Sequence, residues 1–316
     1  MSSYQEFLQQ KIKPKQPDGF TVSDSDLNPH LFDFQRHIVK KAVLEGRYAI
    51  FADCGLGKTL MQLEWARIIA DYRQKPVLIL APLAVVRQTI AEGERFGIAV
   101  GHGNSIQITN YEQLEKIDID RFSGVVLDES SILKSFTGKT KKLILESFKN
   151  TPFKLACTAT PAPNDLNEIG NHSEFLGVMD APDMRMRWFV RDEGMNNYRL
   201  KGHAEKDFFG WIASWSSVLR RPSDIGFRAG GYELPGLTFH KSIIQSPKQD
   251  NGELFNGSTV NATNFNSELR RTTKQRIEAA AEIANSRDEP FIVWVNQNQE
   301  EELAVKLIDG AVAVRG

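Results

Sequence analysis

The sequence predicts an α/β protein built on a parallel sheet with helices on both faces. Three observations carry this. Short apolar runs, "RYAIFA" (47–52), "PVLILAP" (76–82), "GVVLDES" (124–130) and "FKLACTAT" (153–160), alternate with segments of helical spacing. The runs are continuously apolar, as in strands covered on both sides, and do not alternate polar with apolar. A glycine-rich turn joins the first run to the helix after it.

The totals bound the reading. The 316 residues leave room for about two domains, and 41% hydrophobic with 25% charged residues is an ordinary balance for burying cores. Lys and Arg number 39 against 40 Asp and Glu, so bulk charge gives no support to a nucleic-acid binder, although a local groove can still be basic. Two cysteines, Cys54 and Cys157, make no disulfide framework and fit a reduced, cytoplasmic setting. The polar N-terminus is no secretory signal, and no run reaches the roughly 20 apolar residues a membrane span needs.

Residues 1–30 are polar and carry Pro14, Pro17, Gly19 and Pro29, which predicts an arm with little structure of its own. "LFDFQRHIVKKAVLEG" has helical spacing and stops at Gly46. The strand 47–52, the helix "GKTLMQLEWARIIADYR", the strand 76–82, the helix "LAVVRQTIAEGERFG" and the strand "IQITNY" (106–111) follow. The strands 124–130 and 153–160, with a helix between them, close a first domain at residues 31–165.

Residues 166–250 read as an insertion or connector. In it Phe208, Trp211, Ile212, Trp215, Val218 and Leu219 fall at helical spacing, and "LTFHKSIIQS" looks like a strand. Residues 251–266, rich in Asn, Gly, Ser and Thr, read as a linker. A second α/β unit then begins, with a helix, the strand "PFIVWV" (290–295), a second helix and the strand "GAVAV" (310–314). Two strands are too few to close an α/β core. The expectation is that a further segment or a partner completes residues 251–316.

The loop "ADCGLGKT" (52–59) stands between a strand and a helix, where backbone N–H groups and the helix N-terminus converge on an anion. Lys58 would contact the β- and γ-phosphates, and Thr59 would set its hydroxyl on Mg²⁺. Gly55 and Gly57 allow close backbone approach, and Asp53, Cys54 and Leu56 complete the cradle. The usual pattern has glycine where this chain has Ala52. A phosphate loop needs acids as well, and "VVLDES" supplies them at a strand end: Asp128 for the metal, Glu129 to orient and deprotonate water. A Glu beside the metal Asp points to ATP hydrolysis and away from kinases and GTPases. The hydroxyls of "TATP" (158–161) suit a coupling element.

The ordered set "FDFQRH", "ADCGLGKT", "LAPLAVVRQ", "ITNYEQL", "LDESSILKS" and "LACTATPAPN" resembles the first motor lobe of superfamily-two helicases, which are related to the DEAD/DEAH-box proteins. The resemblance is to the Snf-type duplex-DNA translocases in their compact phage and bacterial form, a branch that tolerates Ala52. It is dense over residues 31–165. Later, "SSVLRRPSDIGF" with "YELPGL" and the stretch from residue 289 onward resemble the approach to a second RecA-like lobe and its opening.

The resemblance implies a RecA-like fold, ATP and Mg²⁺ as cofactors, and duplex DNA as partner. It implies that Gln35 reads the adenine edge with Phe32 or Phe34 near the ring. Pro82, Thr109, Asn110 and Lys134 would contact the DNA backbone, and Thr158 and Thr160 would couple the two sites. Two departures stand out. Ser130-Ser131 follow the acid pair where family members often have Ala-His, which puts a histidine link to the coupling motif in doubt. No "GRxxR" arginine motif occurs, so the chain reads as truncated in its second lobe.

Other stretches carry two readings each. "TGKTKK" repeats Gly-Lys-Thr without a preceding strand and is a decoy. Lys134, Lys139, Lys141 and Lys142 form either a phosphate-binding patch or a solvated helix face. "MRMRWFVRDEGMNNYRLKGH" interleaves Arg with aromatics, which suits nucleic acid or the packing of an inserted subdomain. Six histidines show no metal-ligand spacing. Two rivals to a DNA translocase stay open: an RNA helicase of the same superfamily, and a nucleotide-binding module without turnover.

Overall fold

The computed structural model describes residues 18–134, 138–191, 198–233, 235–244 and 269–314. Most of the expected arm and the whole expected linker (251–266) lie outside the described residues. Contacts divide the chain into two compact units, Met1–Leu234 and Pro235–Gly316.

The first unit is a six-stranded parallel sheet in the order β3-β2-β4-β5-β1-β8. Its strands are β1 (Arg47–Ala52), β2 (Val77–Ala81), β3 (Ile106–Asn110), β4 (Gly124–Asp128), β5 (Phe153–Thr158) and β8 (Ser216–Leu219). The helices are α1 (Asp33–Glu45), α2 (Lys58–Arg73), α3 (Leu83–Arg95), α4 (Lys139–Ser147), α5 (Ile169–Leu176), α6 (Ala181–Trp188) and α7 (Glu205–Trp215). A small antiparallel pair, β6 (Phe189–Arg191) with β7 (Tyr198–Leu200), follows α6.

Strand alternation divides the core between the two faces. Tyr48, Ile50 and Ala52 of β1 enter one cluster with Ile38 and Ala42 of α1 and Met61, Trp65 and Ile69 of α2. Ala49 and Phe51 enter the other with Phe148, Phe175, Trp188, Phe208 and Trp215. The indole N–H of Trp65 donates to the Ala42 carbonyl at 3.2 Å, tying α2 to α1.

The strands are shorter than the apolar runs suggested, for local reasons. Pro82 has no N–H to continue β2 and instead precedes α3. β4 ends at Asp128 because Glu129 turns to φ +52°. The largest difference is β8. Residues 208–219 were expected to be helical throughout, yet Ser216–Leu219 form a strand parallel to β1, with Ala49 opposite Ser216 and Ala52 opposite Leu219. Helical spacing of apolar residues ran on past Trp215 by coincidence, since a four-residue strand shows only one alternation. The span expected to be a connector therefore supplies an edge strand of the sheet.

Residues 18–30 were expected to have little structure, but they are anchored. Gly19 and Phe20 donate backbone N–H groups to Leu44 and Val43 at 3.1 and 3.3 Å, and Phe20 stacks on Tyr72 with centroids 3.7 Å apart. Asn28 reaches the Phe96 carbonyl at 2.9 Å. Its backbone N–H donates at 2.7 Å to Glu64, a fully buried carboxylate that also takes two N–H groups of Arg67 at 3.0 and 2.8 Å.

The second unit contains α8 (Thr273–Asn285) and α9 (Asn298–Leu307), which bury Ile277, Ala281, Ala284 and Ala304. Arg276 pairs with the buried Glu300 across the two helices, and Asn285 donates to the Leu307 carbonyl at 2.9 Å. The strands expected at 237–246, 290–295 and 310–314 are absent among the described residues. Trp294 is 90% exposed and Val314 93%, so these apolar segments lack the neighbouring backbone that would make them strands. Among the described residues no helix is long and apolar enough to cross a membrane.

Glu64→Gln keeps the size of the side chain and removes its charge. It is expected to lower the free energy of unfolding by about 2 kcal/mol, the scale of charged hydrogen bonds, in urea denaturation. A loss below about 0.5 kcal/mol, the scale of an exposed pair, would mean the carboxylate does not hold residues 18–30 to α2.

Candidate nucleotide site

The loop between β1 and α2 is an exposed shelf at the C-terminal edge of the sheet. Ala52 is the last residue of β1 and is buried in ladder pairing with Leu219. An extended residue accepts a Cβ, so glycine is not required there. The next amide, Asp53 N–H, donates to the Leu219 carbonyl at 3.0 Å. Gly55 and Gly57 lie at φ +81° and +73°. At Gly57 a Cβ would stand 2.4 Å from Nε2 of Gln35, so side chain and loop leave no room for another residue. Lys58 opens α2 and sets its ammonium on the carbonyls of Ala52 and Asp53 at 2.9 and 3.3 Å. Cys54 N–H donates to the Asp53 carboxylate at 2.7 Å. Thr59 is half-buried one residue into the helix.

Gln35 is buried in the first turn of α1. Its Oε1 accepts the Phe32 N–H and its Nε2 donates to the Leu56 carbonyl, both at 2.9 Å. One lone pair and one proton of the amide remain. Phe32 is exposed beside it, whereas Phe34 is buried in the core.

Asp128 closes β4, two strands from β1 across β5. Burial pushes its carboxyl up; the neighbouring Glu129 charge adds to this, and Lys58 opposes it. The amide of Gln62 lies near enough to favour the ionised form. Neither polar atom of that buried amide reaches hydrogen-bond geometry with any described residue. The Tyr111 hydroxyl donates to the Asp128 carbonyl at 2.6 Å. Glu129 adopts left-handed φ, a conformation that costs a non-glycine residue about 1–3 kcal/mol and persists only where surroundings enforce it. The enforcers are visible. Glu129 N–H donates to the Asp128 carboxylate at 3.1 Å. The Thr158 hydroxyl donates to the Glu129 carboxylate at 3.2 Å and accepts the Thr160 N–H at 3.1 Å. Thr158 of the "TAT" stretch thus joins the acid pair directly, and Thr160 joins it through Thr158.

Among the described residues, the Ser131 side chain makes no hydrogen bond in that network. A histidine nonetheless reaches the acid motif from another element. His172 of α5 is fully buried, and its Nε2 shares a hydrogen bond with the Ser130 hydroxyl at 3.1 Å. Its ring stands edge-on to Phe51, 5.2 Å between centroids, the residue before Ala52. No local pattern marked His172, because the link is made only by the fold. Desolvation lowers its pKa from 6.5 to about 4. Nδ1 has no partner in hydrogen-bond geometry among the described residues, although the Glu168 backbone pulls toward the charged form.

The residues expected to touch DNA lie along the same edge. Asn110 ends β3 opposite Ala81 of β2, so Thr109, Asn110 and Pro82 are neighbours, and the Asn110 Oδ1 is buried without a partner among the described residues. Lys134 closes a short 3₁₀ turn after β4 and is exposed. Neither reading of the four lysines, phosphate-binding patch or solvated helix face, holds for all of them. Lys141 is buried and donates to Asn171 and Glu174, both at 2.8 Å, so it fastens α4 to α5. Among the interleaved aromatics, Trp188 is core, its indole N–H on Asp207 at 2.8 Å. A surface groove of about 560 Å³ along α1 contains none of these residues.

The chain matches no protein-family model and no curated protein. It does match solved structures. The SWI2/SNF2 ATPase core of Sulfolobus solfataricus in complex with dsDNA aligns with a TM-score of 0.50 at 20% identity, over 64% of this chain and 46% of that one. The fold is RecA-like, as in superfamily-two helicase cores. The UvsW helicase of bacteriophage T4 aligns at 15% identity and TM-score 0.40 over 57% of this chain and 67% of that one. The Hef helicase domain of Pyrococcus furiosus aligns at 21% and 0.39 over 46% and 36%. The chain thus spans less than half the length of the Sulfolobus core. At these identities the likeness is one of fold.

The His172 shift has a definite sign. The unfolded chain binds the proton more tightly than the folded one, so stability is full above pH 6.5 and falls as pH drops toward 4, by up to about 3 kcal/mol. His172→Asn is expected to flatten the pH dependence of unfolding in that window; an unchanged slope would contradict the burial.

Proposed function

We propose that this chain carries the ATP-hydrolysing motor lobe of a DNA translocase that moves along duplex DNA. The observation that carries the reading is the convergence, at one sheet edge, of the 52–59 loop, the Asp128–Glu129 pair and the Thr158 hydroxyl on Glu129. The residues suit ATP and Mg²⁺. Thr59 and Asp128 offer a hydroxyl and a single carboxylate, the sparse set that magnesium takes when phosphates and waters fill its other positions.

Lys58 would leave the Ala52 and Asp53 carbonyls for the β- and γ-phosphates. Loop amides and the α2 N-terminus would hold the phosphate charge. Magnesium, when bound, draws charge off the transferring phosphoryl group. Glu129 would align water in line with the γ-phosphate and take its proton. Thr158, bonded to Glu129, and Thr160, bonded in turn to Thr158, would pass changes at the base to the nucleic-acid edge. There Pro82, Thr109, Asn110 and Lys134 would grip sugar-phosphate, with no base readout expected. The Sulfolobus neighbour was solved with dsDNA, which favours DNA over RNA as the track.

ATP binding and turnover, each with duplex DNA, duplex RNA or neither, test this. Glu129→Gln is expected to keep ATP affinity while turnover falls at least about 100-fold. Lys58→Ala is expected to weaken binding itself. Turnover raised by RNA and indifferent to DNA would reject the translocase reading, and tight binding with no turnover under any condition would mark a nucleotide-binding module.

A further inference from the structure

Buried polar groups are nearly always paired, so one left unpaired calls for a reason. α2 buries two polar side chains close together and treats them differently. Glu64 is paired, by the Asn28 N–H and by Arg67. Gln62, two residues earlier, is just as inaccessible. Yet neither its Oε1 nor its Nε2 has a hydrogen-bond partner among the described residues. A side-chain amide can donate and accept, so Gln62 keeps its whole bonding capacity unused. Its neighbours Met61, Leu63 and Trp65 are apolar core. Methionine or leucine would fill the same space without burying an amide, so packing alone gives no reason for glutamine here.

The position of Gln62 in the fold identifies its neighbours. Thr59, Gln62, Ala66 and Ile69 share one face of α2, at i, i+3, i+7 and i+10. α2 packs along β4. Cγ2 of Ile69 lies 3.4 Å from where a Cβ on Gly124, the first residue of β4, would stand. From that contact the helix climbs back about 10 Å to Gln62 and about 15 Å to Thr59. β4 climbs about 13 Å over the same stretch, from Gly124 to Asp128. Asp128 therefore falls between the levels of Gln62 and Thr59. In keeping with this, the Gln62 amide is among the groups that favour the ionised Asp128 carboxylate.

We infer that Gln62 is a positioning residue for a divalent cation held by Thr59 and Asp128, its amide fixing the carboxylate from the buried side. The inference rests on the metal reading above and adds to it a residue that touches neither cation nor phosphate. A carboxylate that gives one oxygen to a cation leaves the other free to swing. A hydrogen bond to that second oxygen fixes its orientation, as outer partners do for metal ligands generally. Among the described residues the Asp128 carboxylate takes one such bond, from the Glu129 N–H at 3.1 Å. Gln62 supplies a second donor on the side of α2, where the proposed hydroxyl ligand also stands.

The test sets metal dependence against stability. ATP binding with Mg²⁺ or with EDTA is measured by calorimetry on the full chain and on Gln62→Met, Gln62→Leu and Asp128→Asn, beside urea unfolding of each without ligand. Wild type is expected to bind ATP more tightly with Mg²⁺ than with EDTA, and Asp128→Asn to lose that difference. The two Gln62 variants are expected to weaken ATP about tenfold with Mg²⁺ and less than about twofold with EDTA. Their urea midpoints are expected to match or exceed wild type, because an unpaired buried amide has gone. An amide that served only the fold would do the reverse, lowering the midpoint and leaving the Mg²⁺ effect unchanged. That result, equal weakening with and without metal, or failure of both variants to fold, would overturn the role of Gln62 and leave the loop reading intact. Wild type that bound ATP no better with Mg²⁺ than with EDTA, or Asp128→Asn with undiminished metal dependence, would instead bring down the metal reading and Gln62 with it.

Discussion

The structure depends on β1 lying between β5 and β8. Both partners come from much later in the chain, and both pair in parallel. That arrangement sets the strand's C-terminal end among other C-terminal ends, so the loop 53–57, Thr158 and the Leu219 carbonyl meet at one edge. Asp128 reaches the same edge through the pairing of β4 with β5. The chemistry is assembled by backbone register before any side chain contributes, as in open α/β sheets generally.

Side chains then hold that edge in a costly arrangement. Glu129 is kept in a left-handed conformation by its own motif and by Thr158. Asp128 is buried and destabilised as an anion. His172 is buried uncharged behind Ser130. None of these choices favours stability, and each sits next to the proposed point of reaction, where strain and perturbed acids concentrate. The stabilising contacts lie elsewhere: in the two apolar cores, in the Glu64–Arg67 network, and in Lys141 between α4 and α5.

Much of this was legible in the sequence, and the limits have physical causes. β1, β2, β4 and β5 are continuously apolar because both faces are covered, so their existence could be read even where Pro82 and Glu129 trimmed their ends. The glycine-rich turn between β1 and α2 was legible because its signal is local. β8 was not, since four residues following a helix carry too little periodicity to separate strand from helix. His172 and Lys141 were opaque for a different reason: their contacts are set by which element lies opposite, and spacing along the chain contains no trace of that. The apolar runs at 290–295 and 310–314 had the composition of buried strands, but composition cannot supply the neighbouring backbone that turns an extended segment into one.

The late arrival of β8 also bears on how the chain is made. During synthesis β1 emerges early, followed by the loop 53–57, whose Asp53 amide has nothing yet to donate to. β5 can join one side of β1 once residue 158 is out, but the other side stays bare until residue 219. For that interval the nascent chain exposes "RYAIFA" as an unpaired, uncharged edge after its first residue, the kind of edge on which chains aggregate. Non-local parallel pairing of this kind is also slow to form. The strand whose Leu219 carbonyl takes the Asp53 N–H therefore also covers that bare edge, so the loop 53–57 gains its partner and the edge its protection in a single step.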